Sequence, residues 1–380
     1  MSEERKLARV VIVDSLHPIE GADRIELALV GGWQVVAQKG LYVAGSKAIY
    51  CEVDSMLPVA NPAFSFLASS KNYTVDNVQY ARIKTIKLRK QLSQGLLIPL
   101  SEVGLHDNSK LAVDIDLTQK LGIIKYESAG EKQLNGNAAG VKSGTSALGF
   151  PKFVPKTDQT RVQNIVVQYQ QACDKDEKFE KTFKLDGSSL TVFIKDGVLG
   201  VASRNVGFRM QTENKGFKLV FKEWLAKVKQ TGKLFVSVDT QWKADDNSFT
   251  QMAQKAGLLT ALVRDVRNLA IQGEMVGPSI QKNFEGVEQN EFYCYDVYLI
   301  DERRYMLPQE RQDFCKLYNI SHVPVAGTDV YLPLTVKEAL ADADGPSGLN
   351  GKMREGFVFK SMTRDFSFKV ISNRYLLAED

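Results

Sequence analysis

The chain has 380 residues, of which 44% are hydrophobic and 25% are charged, and its formal net charge is +4. This composition predicts an ordinary soluble globular protein with two or three domains, and the mild positive charge permits a polyanionic partner without requiring one. Four widely spaced cysteines with no C-x-x-C pair argue against a zinc ribbon or a dense disulfide framework.

The N-terminal residues 1–9 are charged and lack the apolar core of a secretory signal, and no run approaches the roughly 18 apolar residues of a membrane span. We therefore expect a protein that is neither secreted nor membrane-spanning. With the separated cysteines, this predicts the cytoplasm or another reducing compartment inside the cell.

Residues 1–126 form the first predicted domain, and turn-forming or polar stretches separate most of its short β-rich segments. These segments are Leu7–Asp14, Ile25–Leu29, Trp33–Gln38, Lys47–Val53, Tyr80–Leu88 and Gly95–Leu100. Strands of this length and spacing predict a small barrel or sandwich, and five strands would suit an OB-fold, which often binds oligonucleotides. A purely structural β-domain is the alternative.

Residues 127–149 are rich in Gly, Ser, Ala, Asn and Lys and are predicted to be a flexible linker. Residues 150–380 then mix helices and strands, which predicts an α+β domain with mainly antiparallel pairing. Apolar residues at helical spacing predict helices over Phe217–Gln230 and Thr250–Arg267, with core-facing stripes. The predicted strands of this half are Phe179–Phe183, Leu269–Val276, Glu291–Ile300, Glu355–Lys360 and Ser367–Ile371.

The segment Lys184-Leu185-Asp186-Gly187-Ser188-Ser189 follows the first of these strands. A lysine that is partly desolvated and faces another cation can be neutral, and a neutral lysine can attack a nucleotide α-phosphate. Asp186 would help hold a metal, and Gly187 would let the backbone approach a phosphate. The alternative is a solvated turn in which Asp-Gly reverses a hairpin.

Further polar residues stand at strand edges downstream. Arg204 follows a short apolar strand and suits contact with phosphate or ribose, although a surface role is the alternative. Glu274 lies within an apolar strand, where it needs a metal, a sugar hydroxyl or a basic partner, and a structural salt bridge is the alternative. Lys369 lies inside the last strand, where a lone lysine normally faces solvent.

The strand around Tyr295 alternates in a regular pattern. Regular alternation puts Phe292, Cys294 and Asp296 on one face and Tyr293, Tyr295 and Val297 on the other. A ring from this strand could stack on a purine or simply pack in the core.

Glu355 and Lys360 are five residues apart, which places them on opposite faces of a regular strand. A shared site would therefore need a bulge or bend between them.

Six short motifs follow one another along the chain: Lys-x-Asp-Gly-Ser, Ser-Arg-Asn, Gly-Glu before Gly-Pro, Phe-Tyr-x-Tyr-Asp, Glu-Gly-x-Val-x-Lys and a final strand lysine. In this order they resemble the motifs of covalent nucleotidyltransferases, the superfamily of ligases and capping enzymes. The resemblance covers residues 150–380 and is greatest to ATP-dependent RNA ligases. One nick-sealing RNA ligase family carries an OB domain before its catalytic domain. The resemblance thus implies an OB-like β-barrel followed by an ATP-grasp-like ligase domain of mainly antiparallel sheets with flanking helices.

The resemblance implies a role for each matching residue. Lys184 would attack ATP and carry AMP covalently, and Tyr295 would stack on the adenine. Glu274 would bind ribose, and Arg204 would contact AMP or the terminal 5′-phosphate. The metal, Mg²⁺ or Mn²⁺, would be held by Asp186, Glu274 and Glu355.

Phe183 and Gly187 complete the implied nucleotide site, together with Lys360 and Lys369, which would neutralise α-phosphate charge. Many ligases have Lys-x-Lys in the last motif, whereas this chain has Ser367-Phe368-Lys369. Only the second lysine is therefore assigned.

The implied partners are RNA ends or a nicked duplex with RNA on the 3′-hydroxyl side, and no feature predicts an obligate protein partner. A basic strand and tail with Arg82, Lys84, Lys87 and Arg89 would contact the duplex backbone, or would only guard a sheet edge. The alternative functions are a DNA ligase, a capping-type guanylyltransferase, or a nucleic-acid-binding protein with an inactive nucleotidyltransferase domain.

Overall fold

The computed structural model describes residues 5–107, 110–126, 148–208, 210–212, 242–244, 247–350 and 353–378. The predicted linker lies almost wholly outside these residues, and so does the predicted helix Phe217–Gln230. All four cysteines are described and are free thiols. No helix in the described ranges combines the length and the apolar character needed to cross a membrane.

The first half consists of short strands, of which Trp33–Gln38 alternates buried and more exposed residues and Lys47–Cys51 is almost wholly buried. The strands are β1 Ala8–Ile12, β2 Ser15–Pro18, β3 Ile25–Val30, β4 Trp33–Gln38, β5 Lys47–Cys51, β6 Ser55–Pro58, β7 Asn72–Val75, β8 Val78–Arg82, β9 Thr85–Leu88, β10 Gln91–Gln94, β11 Leu96–Ile98 and β12 Ile124–Lys125. Two 3-10 helices span Pro62–Leu67 and Leu100–Val103.

Antiparallel pairing joins these strands into four small sheets with the orders β1-β5-β11, β2-β3-β4, β9-β10 and β12-β6-β8-β7. One core lies around Ile49, Leu57 and Phe64, and a second lies around Trp33 and Tyr50. The predicted strand Tyr80–Leu88 is wrong as a single element, because the chain leaves β8 after Arg82 and begins β9 at Thr85. The two halves pair in different sheets.

The described part of the second half contains six helices and three sheets, of seven, four and two strands. Its strands are β13 Leu148–Gly149, β14 Phe179–Lys184, β15 Ser188–Lys195, β16 Val198–Ser203, β17 Val206–Phe208, β18 Met210–Thr212, β19 Trp242–Ala244, β20 Leu269–Val276, β21 Glu291–Leu299, β22 Arg304–Tyr305, β23 Val325–Val330, β24 Gly356–Ser361 and β25 Ser367–Ile371. Its helices are α1 Val166–Asp174, α2 Ser248–Lys255, α3 Leu258–Asp265, α4 Pro308–Tyr318, α5 Val336–Asp342 and α6 Asn373–Ala378, and a 3-10 turn spans Val162–Asn164.

A seven-stranded sheet has the order β13-β17-β16-β15-β20-β21-β22, and a four-stranded sheet has the order β23-β14-β24-β25. Helices α2, α3 and α4 cover the core of the large sheet, whereas α1 and α5 pack on the small sheet. A third apolar cluster, which includes Leu185, Val276 and Val323, fills the seam between the sheets.

The prediction of one continuous helix over Thr250–Arg267 is wrong, although most of the apolar residues of its stripe are buried in the core. Gly257 has φ +70° and separates α2 from α3, and Val266 has φ +65° and ends α3. Met252, Leu259 and Leu262 are buried as expected, whereas Val266 is exposed. A left-handed residue stops a helix because it turns the following backbone out of the helical path.

Candidate active site

Lys184 is the last residue of β14, and residues 185–187 carry the chain from the small sheet into β15 of the large sheet. The hairpin alternative is wrong, because β14 pairs with β23 and β24 while β15 pairs with β16 and β20. Lys184 therefore lies where the two sheets meet.

Three carboxylates act on the Lys184 ammonium. Its Nζ lies 2.6 Å from Glu355 Oε2, and Glu355 directly precedes Gly356, the residue of β24 that pairs with Lys184. Burial disfavours the charged lysine, but Glu355, Glu274 and Asp186 outweigh it and raise the pKa of Lys184 above its usual range. The lysine is thus a protonated ion at neutral pH in this arrangement.

The carboxylates are themselves perturbed. Burial raises the pKa of Glu274 to about 8; Lys184 opposes this shift, and the negative charges of Glu355 and Asp186 add to it. Burial and Glu355 also raise the pKa of Asp186. The three predicted metal ligands surround one ammonium, yet among the described residues no three His, Cys, Asp or Glu side chains form a ready-made metal-binding group.

Gly187 is required by the close approach of two strands. A Cβ at this position would lie 2.1 Å from the main-chain oxygen of Met275, and Met275 pairs with Ser188 across β15 and β20. Any side chain here would push β15 away from β20, the strand that carries Glu274. Glycine is therefore needed at this position for the two strands to pack, which is a different reason from the expected approach to a phosphate.

Tyr295 lies at an irregular point of β21. Gln272 of β20 pairs with Asp296, whereas the next residue, Gly273, pairs with Cys294, so Tyr295 is the extra residue of a bulge. The tyrosine hydroxyl lies 2.9 Å from the hydroxyls of both Ser189 and Thr157, and burial raises the pKa of Tyr295. These two bonds fix the ring against the apolar cluster at the seam.

The same bulge overturns the predicted grouping of side chains on this strand. Phe292 and Cys294 face the large core together with Val297, although regular alternation had placed Val297 opposite them. Asp296 does not share their face and instead pairs with Lys360. One inserted residue exchanges the two faces for the remainder of the strand.

Lys360 is committed to the strand that carries Tyr295. Its Nζ donates to the Asp296 carboxylate and, over 2.8 Å, to the main-chain oxygen of Tyr295. Lys360 pairs with Glu180 on β14, four residues from Lys184, which is about 13 Å along a strand. Glu355 and Lys360 therefore do not share one site here, despite the bend at Gly356, where φ is +153°.

Lys369 lies on β25, close enough to Lys184 for their charges to interact. Burial lowers the pKa of Lys369 to about 8, and Lys184 and Arg161 add to the shift. Its backbone N–H donates to Thr160 over 2.8 Å. Lys369 thus stands in the same electrostatic cluster as Lys184, as its implied role requires.

Arg204 and Phe183 are the two remaining residues that were predicted to contact the nucleotide. Arg204 Nη2 lies 2.7 Å from Asp158 Oδ1, and the arginine side chain is 62% exposed. Burial opposes the ionisation of Asp158, but Arg204, Lys369 and Lys125 outweigh it, so the pKa of Asp158 lies below its usual range. Phe183 precedes Lys184 and packs with its ring 5.2 Å from that of Phe357.

Comparison with known proteins agrees with this geometry. A family model described as RNA ligase matches residues 177–371, and a model described as an OB-fold domain matches residues 7–100. The chain belongs to the RNA ligase family. No curated protein sequence matched it.

Solved structures of Naegleria gruberi RNA ligase resemble the whole chain. The structure with pyrophosphate is 35% identical, has a TM-score of 0.72 and covers 99% of each chain. A lysine-to-alanine mutant solved with ATP and Mn is 34% identical, with the same TM-score and coverage. A mutant solved with AMP and Mn is also 34% identical, with a TM-score of 0.72. The predicted architecture, an OB-fold followed by a ligase domain of antiparallel sheets, is confirmed.

Three residues of this ligase site were missed by sequence reasoning. Thr157 fixes Tyr295, and the buried Glu285 accepts the backbone N–H of Asp186 over 3.1 Å and the hydroxyl of Ser347. The backbone of Arg161 forms an isolated parallel β-bridge with that of Lys369. Thr157 and Arg161 lie in a polar run before α1 that could have been noticed, whereas nothing in the sequence marks Glu285.

Arg161 also connects the site to the OB domain. Its guanidinium lies 5.6 Å from the ring centroid of Trp33, and burial lowers the pKa of Arg161. In the described part of the chain, its Nη1 is buried and has no hydrogen-bond partner. Arg9 of the OB domain donates to the main-chain oxygen of Gln163 close by, so the two domains meet near Arg161 and Lys369.

The four residues that were predicted to contact nucleic acid do not lie on a single strand. Arg82 ends β8 and is bound by Asp54 over 2.5 Å, whereas Lys84 is exposed in the break between β8 and β9. Lys87 is on β9, and Arg89 has φ +50° in the turn to β10. The basic strand is therefore divided between two sheets.

Proposed function

We propose that the chain is an ATP-dependent RNA ligase that joins a 3′-hydroxyl to a 5′-phosphate, at nicks in a duplex. The observation that carries this proposal is Lys184, which lies at the seam of two sheets among Glu355, Glu274 and Asp186, with Lys369 beside it. Membership of the RNA ligase family and the ATP-, AMP- and pyrophosphate-bound structures of the Naegleria gruberi enzyme support it.

The first transfer forms a bond between Lys184 Nζ and the α-phosphorus of ATP, breaks the bond to the β-phosphate, and releases pyrophosphate. The amine must lose its proton first, so the high pKa of Lys184 beside Glu355 has to fall when the site is loaded. Lys369, whose pKa is about 8, would contribute positive charge near the nucleotide.

The divalent cation would be held by Asp186, Glu274 and Glu355. This donor set fits Mg²⁺ or Mn²⁺, because it consists of carboxylate oxygens; burial, together with the negative charge of Glu355, raises the pKa of Asp186 and of Glu274. When bound, such a cation supplies charge that stabilises the phosphates and lowers the pKa of the neighbouring lysine.

Two further transfers complete the reaction. An oxygen of the RNA 5′-phosphate attacks the AMP phosphorus, and the bond to Lys184 breaks with return of the amine. The RNA 3′-hydroxyl then attacks the activated 5′-phosphate, the phosphodiester forms, and AMP leaves. Tyr295, held by Ser189 and Thr157, would keep the adenine in place throughout.

The test of this proposal is the transfer of label from α-labelled ATP to the protein. Lys184→Ala should carry no label, while Lys178→Ala, which changes an exposed lysine just before the same strand, should label like the wild type. Label on Lys184→Ala at the wild-type level would contradict the assignment. Parallel reactions with GTP, and with DNA or RNA 3′-hydroxyl ends, separate this function from those of capping enzymes and DNA ligases.

The OB domain is proposed to contact the duplex backbone through Lys84, Lys87 and Arg89. Neutralising all three should weaken binding to a nicked duplex and reduce its dependence on salt, because phosphate contacts release counterions. Unchanged affinity across a salt titration would remove this part of the proposal.

A further inference from the structure

One side of the sheet β12-β6-β8-β7 in the OB domain carries Tyr73, Tyr80 and Arg82, and Tyr126 follows β12 directly; these four residues are called the aromatic face. Met56, which pairs with Arg82 on the same side, is buried. Tyr73 and Tyr80 are directly opposite each other across β7 and β8, so their rings share a side of the sheet. Arg82 is two residues beyond Tyr80 and shares that side as well. The opposite side carries Leu57, which is buried in the core.

These planar groups are arranged against one another. The Arg82 guanidinium lies 3.6 Å from the ring centroid of Tyr126, and the Tyr126 ring meets that of Tyr73 edge-on at 5.5 Å. Asp54 accepts two hydrogen bonds from Arg82 and so fixes its plane over the ring. The three rings are half-buried, which holds them in place while leaving part of each accessible.

The surroundings of the aromatic face are positively charged. Lys71 Nζ lies 5.7 Å above the Tyr73 ring, and Lys84 and Lys125 are exposed close to β8 and on β12. Asp54, the carboxylate beside Tyr126, is already paired with Arg82. Planar rings bordered by cations match a chain of stacked bases joined by phosphates.

The aromatic face begins next to the candidate active site. Lys125, adjacent to Tyr126, is close enough to Asp158 to help lower the pKa of that carboxyl, and Asp158 pairs with Arg204. A strand of RNA whose end reaches Arg204 would therefore pass Lys125 and then meet Tyr126 and Tyr73.

From this arrangement we infer that the aromatic face binds an unpaired segment of the RNA substrate, which continues beyond the paired region at the joint, by stacking on its bases. A paired duplex does not offer base faces to such a surface, so the contact selects single-stranded nucleotides. This inference rests on the proposed function for the identity of the substrate as RNA, and it adds a preference for a nicked duplex that is flanked by unpaired nucleotides.

The experiment compares the binding of two fluorescent probes to the full chain without ATP: a 12-nucleotide single-stranded RNA and a blunt 12-base-pair RNA duplex. The variant Tyr73→Ala/Tyr126→Ala should bind the single strand about 5- to 150-fold more weakly for each base stack lost. Its affinity for the duplex should stay within about twofold of the wild type. The matched control Tyr73→Phe/Tyr126→Phe keeps both rings and should bind both probes like the wild type.

Unchanged binding of the single strand would overturn the inference, and so would an equal loss for both probes or an equal loss in the phenylalanine control. Adenylation of Lys184 reports the fold of each variant, because no residue of the aromatic face contacts that lysine. If the double variant does not adenylate, Tyr73→Ala alone, on the edge strand β7, decides the outcome by the same criteria. Failure of the wild type to adenylate would instead refute the proposed function and leave the RNA-binding result standing.

Discussion

Gly187→Ala should weaken both the stability and the chemistry of the enzyme. A Cβ at this position would lie 2.1 Å from the Met275 oxygen, whereas ordinary contacts begin at 3.4 Å, so β15 and β20 must separate by 3.4 − 2.1 = 1.3 Å. Overpacking of this kind costs about 1–3 kcal/mol. In a domain of this size each kcal/mol lowers the melting temperature by about 2–4 °C, so Tm should fall by about 2–12 °C.

The chemical effect follows from the same displacement. Lys184 precedes Gly187 by three residues, and Glu274 is the neighbour of Met275 on β20. A shift of about 1 Å at a reacting group can reduce a rate by roughly 100-fold, so lysine adenylation below the melting temperature should fall by about that factor.

The matched control is Gly149→Ala, because a Cβ at Gly149 meets no atom within 4 Å. Thermal unfolding followed by circular dichroism and transfer of α-labelled AMP at 20 °C measure the two effects. If Gly187→Ala melts within 1 °C of the wild type and adenylates at the same rate, the reasoning from strand separation is refuted.

Three further predictions concern charge. Glu355→Gln should lower the pKa of Lys184, because it removes the nearest carboxylate, and the pH profile of adenylation should move to lower pH whatever the loss in maximal rate; an unmoved profile would contradict this. Arg311→Met should cost about 3–5 kcal/mol in urea unfolding, because it leaves Glu180 buried without its cation, whereas loss of less than 1 kcal/mol would argue against a stabilising pair. Burial and Arg311 lower the pKa of His322 to about 4, so between about pH 6.5 and 4 the unfolded chain binds a proton there and the folded chain does not. The free energy of unfolding should therefore fall as the pH drops from 6.5 to 4, and His322→Gln should make that fall smaller.

Sequence patterns predicted strands well where a run of β-branched, aromatic and other apolar residues has clear bounds. The strands Trp33–Gln38, Leu269–Val276 and Ser367–Ile371 have the predicted bounds. The order of the motifs from Lys184 to Lys369 was likewise sufficient to predict the family, because the covalent chemistry needs those residue types in that order along the fold.

Only the tertiary structure decided which of these residues meet. Whether Lys184 begins a hairpin or a crossing between sheets depends on the partners of β14 and β15, which lie far along the chain. The ion pair between Lys360 and Asp296 depends on a bulge that exchanges the two faces of β21. A single inserted residue of this kind cannot be recognised from the hydrophobic pattern of the sequence.

The sequence by itself therefore determined the position of many strands, the order of the OB-fold and the ligase domain, and the chemical groups, because these depend mostly on neighbours within a few residues. The electrostatics of the site were decided by the fold. The raised pKa of Lys184 and the place of Arg161 between Trp33 and Lys369 arise from charges and rings that are distant in sequence and converge only when the sheets and the OB domain pack together.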